Sequence, residues 1–180
     1  MSIRPILYLP DPILRKKTKK VTRFNDQLES LIADMIDTMR MSNGVGLAAN
    51  QIGVEQKICV IEVPYEMEES TSTELYILIN PQIVVKKGQR ELEEGCLSIP
   101  NYRGKVTRSI EVRVRAQDSL GNEFKIKAVD NLLAQALEHE IDHLNGILYI
   151  DHLVSHESLW KIDESNHADS EHLSLFDHQI

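Results

Sequence analysis

The first 138 of the 180 residues contain no histidine; all seven lie at or beyond His139. Any imidazole chemistry is therefore confined to the last part of the chain. Cysteine is almost as scarce. Only Cys59 and Cys96 are present, too few for a disulfide framework, and two thiols without a secretory signal fit a reducing compartment. No apolar run approaches the roughly 18 residues that span a bilayer. The N-terminus, MSIRPILYLPDP, is interrupted by prolines and lacks the layout of a signal peptide. Positive charge is in deficit, since 20 Lys and Arg against 28 Asp and Glu give a net charge of −8 and a pI near 5.4. An acidic surface attracts neither nucleic acid nor an anionic membrane, so neither is expected as a partner. Internal repeats and low-complexity linkers are missing as well. What remains, 42% hydrophobic and 27% charged, is the composition of a soluble globular protein, expected in the cytoplasm.

The length suits one domain, read as residues 1–153, followed by a tail over 154–180. Leu28, Leu31, Ile32, Met35, Ile36 and Met39 repeat at helical spacing and predict a helix over 26–42. Asp26 and Glu29 fit a capping box, and Asn43-Gly44 supplies a stop. The period then changes to two. KICVIEV (57–63), ELYILIN (74–80) and QIVVKKG (82–88) read as strands. SIEVRVRAQ (109–117), the turn DSLGN and EFKIKAV form an antiparallel hairpin with one wet face. A second helix is expected from about Asp130 to Asn145, ending at Gly146. The class is α+β with mainly antiparallel sheet. The tail carries six acidic residues (Glu157, Asp163, Glu164, Asp169, Glu171, Asp177) against Lys161. Its start, HESLWKI, is expected to form a helical turn or two that buries Trp160, and the rest, DESNHADSEHL, to be solvated or disordered.

The second helix carries the chemistry. On a wheel of about 100° per residue, Glu140 falls in the middle of a stripe made by Val129, Leu133, Ala136, Leu137 and Leu144. His139 and His143 lie to one side of it, while Glu138 and Asp142 point away. A buried, unpaired carboxylate costs several kcal/mol, so Glu140 needs a partner or a task. One reading is a core glutamate bonded to a neighbouring histidine. The other is a metal site, because histidines at i and i+4 can share one ion with the glutamate beside its open position.

Catalytic sites of this kind take a third protein ligand. The longer protease motif HExxHxxGxxH is matched at Gly146, but Tyr149 stands where its last histidine belongs. Glu157 and Glu164 are alternatives in the tail, where solvated surface acids are the plainer reading. Cys96, in ELEEGCLSIP, offers a thiolate beside Gly95, which permits close backbone approach. Cys59 alternates among apolar neighbours and reads as a small buried hydrophobe.

Three segments, GVGLAANQIG (44–53), EGCLS (94–98) and HEIDH (139–143), together resemble the signature motifs of peptide deformylases, in order and with similar spacing. The similarity extends from YLPDPILRKK to about Asp151. The resemblance implies an α+β deformylase fold over the domain and a metal-dependent hydrolase that removes the formyl group from formyl-methionine of nascent polypeptides, releasing formate. It makes Cys96, His139 and His143 the ligands of one metal, usually Fe(II) and replaceable by Ni, Co or Zn, and Glu140 the general acid/base. Gln51 and the backbone N–H of Leu97 would donate to the carbonyl oxygen under attack. The GVGLAANQIG loop lacks the features of a phosphate cradle. It suits an extended peptide bonded like an added strand along Val45, Gly46 and Leu47, with Gly95 and Arg103 nearby. Glu94 would accept the second ring N–H of a ligand histidine.

Two features depart from the family pattern. Glu138 stands where many members have glutamine, though the wheel points it outward. Some members dock on the ribosome through a basic C-terminal helix, and an acidic tail disfavours that mode. The histidines outside the motif (152, 156, 167, 172, 178) are expected to be solvated. A metallopeptidase with a tail glutamate as third ligand is the enzymatic alternative; a non-catalytic structural metal is a third, against which Glu140 argues, since a closed structural site has no use for an acid beside it.

Overall fold

The computed structural model describes residues 2–67 and 70–162. Two helices, α1 (Asp26–Met41) and α2 (Leu132–Leu144), pack on two antiparallel sheets. The larger sheet has the order β1 (Gly46–Ala48), β2 (Ile58–Met67), β3 (Ser70–Lys87), β6 (Glu111–Gln117) and β7 (Glu123–Val129). The smaller joins β4 (Arg90–Cys96), β5 (Ile99–Arg108) and β8 (Leu159–Lys161). The expected α+β class with antiparallel sheets is what the chain adopts.

The apolar run KICVIEV is explained by its position. Alternate side chains of a strand leave opposite faces. Ile58 and Val60 of β2 join a cluster with Ile32, Met35 and Met39 of α1. Cys59, Ile61 and Val63 join another with Leu133, Leu137 and Ile141 of α2. Over residues 58–61 the strand lies between two helices and has no wet face, so it reads apolar there, and Glu62 beyond them pairs with Arg40. Each fully buried aliphatic side chain here stabilises by about 1.5–3 kcal/mol. Cys59 is one of these core residues.

Several local expectations change. The α1 cap is Asn25, whose side chain accepts from the Leu28 N–H, one residue before the expected Asp26. The runs 74–80 and 82–88 are one strand, β3. Its pairing with β6 shifts register between Ile79 and Gln82 and again between Ile83 and Val85, and Asn80 there adopts φ +54°. The Asn80-Pro81 step read as a break is a bulge, which is where a sheet tolerates proline. Val129 ends β7 and is 45% exposed, so it is not part of the α2 stripe. HESLWKI forms a short 3-10 turn (His156–Ser158) and then β8, and Trp160 is exposed. The rest of the tail, from Asp163, lies outside the described residues.

The polar side of α2 departs furthest from the wheel. Glu138 and Asp142, expected outward, are buried. Glu138 accepts from the Ser109 N–H at 2.6 Å and pairs with Lys86. Asp142 pairs with Arg108, and His152 Nε2 lies 2.8 Å from Asp142 Oδ2. His152 is therefore bonded rather than solvated. Arg108, at the end of β5, also donates twice to Glu94 of β4, from Nε at 2.8 Å and Nη2 at 2.9 Å. With its side chain 1% exposed, this guanidinium ties β4, β5 and α2 together. Arg108 of the small sheet, with Ser109 and Lys86 of β3, covers the side of α2 that a lone amphipathic helix would present to water.

Removing one member of a buried charged set leaves the others unpaired in a dry site, at a cost of about 3–5 kcal/mol. Arg108→Leu is expected to lower the unfolding free energy by that amount in chemical denaturation, whereas Lys105→Ala, from an exposed pair with Glu91, changes it by less than about 1 kcal/mol.

Candidate metal centre and peptide cleft

Asn131 caps α2 by accepting from the Ala134 N–H, which fixes where the helix starts and so which residues face β4. His139 and His143 then stand one turn apart with ring centroids 4.9 Å from each other. Across from them Cys96 ends β4, placed by a register shift after Gly95. It is a strand terminus, just before the turn at residues 97–98. Cys96 Sγ lies 3.2 Å from His143 Nε2, and one ligand atom from each of Cys96, His139 and His143 falls within 4.8 Å of the others. Glu157 is exposed and is not in this group, and Glu164 lies outside the described residues.

The surroundings tune these groups. His139 Nδ1 lies 2.9 Å from Glu94 Oε2, which leaves Nε2 to face the cluster. Burial alone would raise the Glu94 pKa, but Arg108 and then His139 hold it down at about 2, so it stays a carboxylate. Burial also works against the Cys96 thiolate, and His143 and His139 outweigh it, bringing that pKa well below the usual thiol value. The Asn50 side-chain amide donates to the His143 carbonyl at 2.7 Å and steadies the end of α2. Tyr149, buried and stacked against His139 with centroids 6.3 Å apart, fills the place where the longer protease motif has a ligand.

Glu140 is 4% exposed, and its Oε2 has no hydrogen-bond partner among the described residues. Burial raises its pKa to about 7 against the opposing pull of His139 and His143. A buried donor set of one thiolate and two imidazoles, with an unpartnered carboxylate oxygen beside it, fits a divalent ion with an open position. Gly46 makes room for this acid: a Cβ there would stand 2.4 Å from Glu140 Oε1.

Gln51 is buried with its amide oriented. Oε1 accepts from the Ala48 N–H at 2.8 Å, so Nε2 is directed to Ser98 Oγ at 3.1 Å and toward Cys96 Sγ at 3.6 Å. A cleft of about 450 Å³ opens over the cluster. Val45, Gly46, Glu94, Gly95, Leu97 and Arg103 line it, as do Gln51 and Glu140. Leu47 does not reach it; in β1 its side chain turns the other way, into the core beneath α1. The close approach expected at Gly95 is not required within the protein, since a Cβ there meets nothing nearer than 3.6 Å. Arg108, Asp142, Asn50 and Ser98 support the cluster and were not singled out from sequence. Asn50, Ser98 and Asp142 sit inside GVGLAANQIG, EGCLS and HEIDH, where a signal existed; Arg108 carried none.

The polypeptide deformylase family model matches residues 3–158. A peptide deformylase of Dehalococcoides mccartyi (strain CBDB1) is 48% identical over 162 residues, which are 90% of this chain and 93% of the relative. One of Heliobacterium modesticaldum is 50% identical over 84% of this chain and 94% of its own. Among solved structures, a peptide deformylase from Legionella pneumophila superposes with TM-score 0.76 at 46% identity, covering 84% of this chain and 86% of that one. Another, from Ehrlichia chaffeensis, gives 0.79 at 36% identity over 87% and 91%.

Overpacking at Gly46 displaces either Glu140 or strand β1, a strain of about 1–3 kcal/mol. Gly46→Ala is expected to reduce the unfolding free energy by that amount with an unchanged far-UV circular dichroism spectrum, whereas Gly95→Ala is expected to be near neutral.

Proposed function

The chain belongs to the peptide deformylase family, hydrolases that remove N-terminal formyl groups, and we propose that it does so on the cluster of Cys96, His139, His143 and Glu140. The observation that carries this is Glu140: a buried carboxylate with one free oxygen and a pKa near 7, next to three ligand groups.

Cys96 Sγ, His139 Nε2 and His143 Nε2 would hold one divalent ion, Fe(II) by preference, with Ni, Co or Zn as substitutes suited to the same borderline-soft donors. When bound, such an ion lowers the pKa of a water and polarises a carbonyl oxygen. The chain's own groups do the rest. Glu140 Oε2 takes the proton from the attacking water as it adds to the formyl carbon. It then delivers that proton to the departing amide nitrogen as the C–N bond breaks, leaving formate and a free amine. Gln51 Nε2, with the Leu97 N–H, stabilises the negative charge that develops on the formyl oxygen, a contribution often worth a few kcal/mol. Glu94 keeps the His139 ring in one tautomer and orientation.

The substrate is the formylated N-terminus of a nascent peptide. β1 is the edge strand of the larger sheet, and Val45 and Gly46 at its cleft side offer backbone groups for an added strand. The methionine side chain packs on Leu132 and Ala136 of α2, apolar lining beside Glu140. Gly95 and Arg103 border the peptide further out. Residues 1–153 form the catalytic domain, and 154–180 the acidic tail, whose first strand adds to the small sheet. An acidic tail does not favour ribosome docking through a basic helix. Both cysteines are free, in keeping with a reducing cytoplasm, and among the described residues no helix is long and apolar enough to cross a membrane.

Purified under anaerobic conditions and loaded with Fe(II), Ni or Co, the protein is expected to release formate from a formyl-Met peptide; no release with any of the three would overturn the assignment. Glu140→Gln is expected to keep one metal per chain but lose about 10²–10⁴-fold in kcat, the usual scale of general acid–base catalysis. Cys96→Ala is expected to lose stoichiometric metal, measured by elemental analysis; full retention would point to a different third ligand.

A further inference from the structure

The net charge of −8 conceals a segregation of sign. Residues 15–20, RKKTKK, hold five cations and no acid. Arg15 pairs with Asp151, and Lys16 and Lys19 pair with Glu55. Lys17 and Lys20 have no carboxylate partner among the described residues. With Lys57 and Arg115 they line a recess of about 390 Å³, which shares no lining residue with the catalytic cleft. Lys57 is half-buried, and burial followed by the neighbouring Lys17 ammonium holds its pKa below the usual lysine value. Cations crowded in one recess gain from an anion placed between them. Arg115 is held in place by Gln82, whose Oε1 accepts from its Nη2 at 2.8 Å. Among the described residues, Glu123 is the one acid in the lining.

The positive surface continues beyond the recess. In the β6–β7 hairpin Arg115 stands opposite Lys125, and Arg113 opposite Lys127, all four exposed. Directly opposed side chains share a face, and like charges in that position destabilise a sheet. Arg113 is relieved by its pair with Glu111, which also attracts Lys127. Arg115 and Lys125 have no such relief among the described residues. A single small anion would fill the recess and leave Lys125 unanswered, so the surface suits a longer polyanion. No aromatic side chain lines the recess. None stands on the wet face of the hairpin either, where positions 111, 113, 115 and 117 oppose 129, 127, 125 and 123. Unpaired bases therefore find no stacking platform, and a broad duplex touches only the rim of a recess this small. A bare phosphate chain needs no platform and can enter.

We propose that this face binds linear inorganic polyphosphate, with Lys17, Lys20, Lys57 and Arg115 holding one stretch of the chain in the recess and Lys125 extending the contact along the hairpin. The site is separate from the catalytic cleft, so occupancy does not block substrate.

The test is titration calorimetry of the full chain, loaded with Ni and freed of unbound ion, against a linear polyphosphate of about 15 phosphates. The expected Kd is on the order of 10⁻⁵ M in about 50 mM salt, and about four contacts weaken it about 50-fold by about 200 mM, as for a flexible single strand. Tripolyphosphate, which reaches the recess alone, is expected to bind about tenfold more weakly. Lys17→Gln with Lys20→Gln raises Kd about tenfold, and Lys125→Gln about threefold. Lys20→Arg and Lys105→Gln, the latter an exposed lysine outside the recess, leave it unchanged. All these variants are expected to release formate from a short formyl-Met peptide at the wild-type rate. An unchanged Kd in the Lys17/Lys20 and Lys125 variants, or tighter binding of a short RNA duplex, overturns the proposal. So does binding that strips Ni from the chain and is absent from the metal-free protein, which is chelation. Binding is read without turnover, so its failure leaves the catalytic reading standing, and loss of formate release with intact binding overturns that reading alone.

Discussion

The guanidinium of Arg108 is the constraint on which the site depends. It is out of water, and a lone buried cation would be far too costly to keep. Glu94 and Asp142 meet it from β4 and α2, so one side chain fixes the distance and angle between a strand and a helix that share no sheet. Glu94 in turn reaches His139. The orientation of His139, a proposed metal ligand, is thus inherited from the ion pair between Glu94 and Arg108, 14 residues apart. His152, through Asp142, closes the far end of the same set.

Two buried glutamates in this small region are driven in opposite directions by their surroundings. Glu94 is surrounded by positive charge and hydrogen-bond donors, so it remains ionised and serves as a fixed support. Glu140 has an oxygen with nothing to bond, and burial brings its pKa close to neutrality. Under the proposed function, the same functional group is scaffold in one place and proton carrier in the other. Separating two carboxylates by environment rather than by chemistry is a general way to obtain both roles near pH 7.

The sequence made the reactive groups legible because their patterns are local. HEIDH lies on one helical turn, EGCLS on one strand end, and the apolar repeats of α1 and β2 report their own burial. The small sheet was opaque for the converse reason. In β4 the residue that faces inward is Glu94, and in β5 it includes Arg108, so a search for alternating apolar residues finds nothing. Glu138 and Asp142 were misplaced because a wheel knows only the helix's own apolar stripe, and their partners, Ser109, Lys86 and Arg108, come from other elements. Leu47 was assigned to the peptide through its motif, but alternation along β1 sends its side chain to the core.

Cys96 ends a strand of the small sheet, whereas His139 and His143 belong to a helix whose apolar face is covered by the large one. An ion held by all three would clasp two sheets that have no strand pairing with each other. The free energy of loading such a site is then also free energy of assembly, and the folded fraction rises with the free concentration of the ion. Metal supply and the folded population would then be coupled, with the Arg108 ion set remaining as one polar link between the small sheet and α2 when the ion is absent.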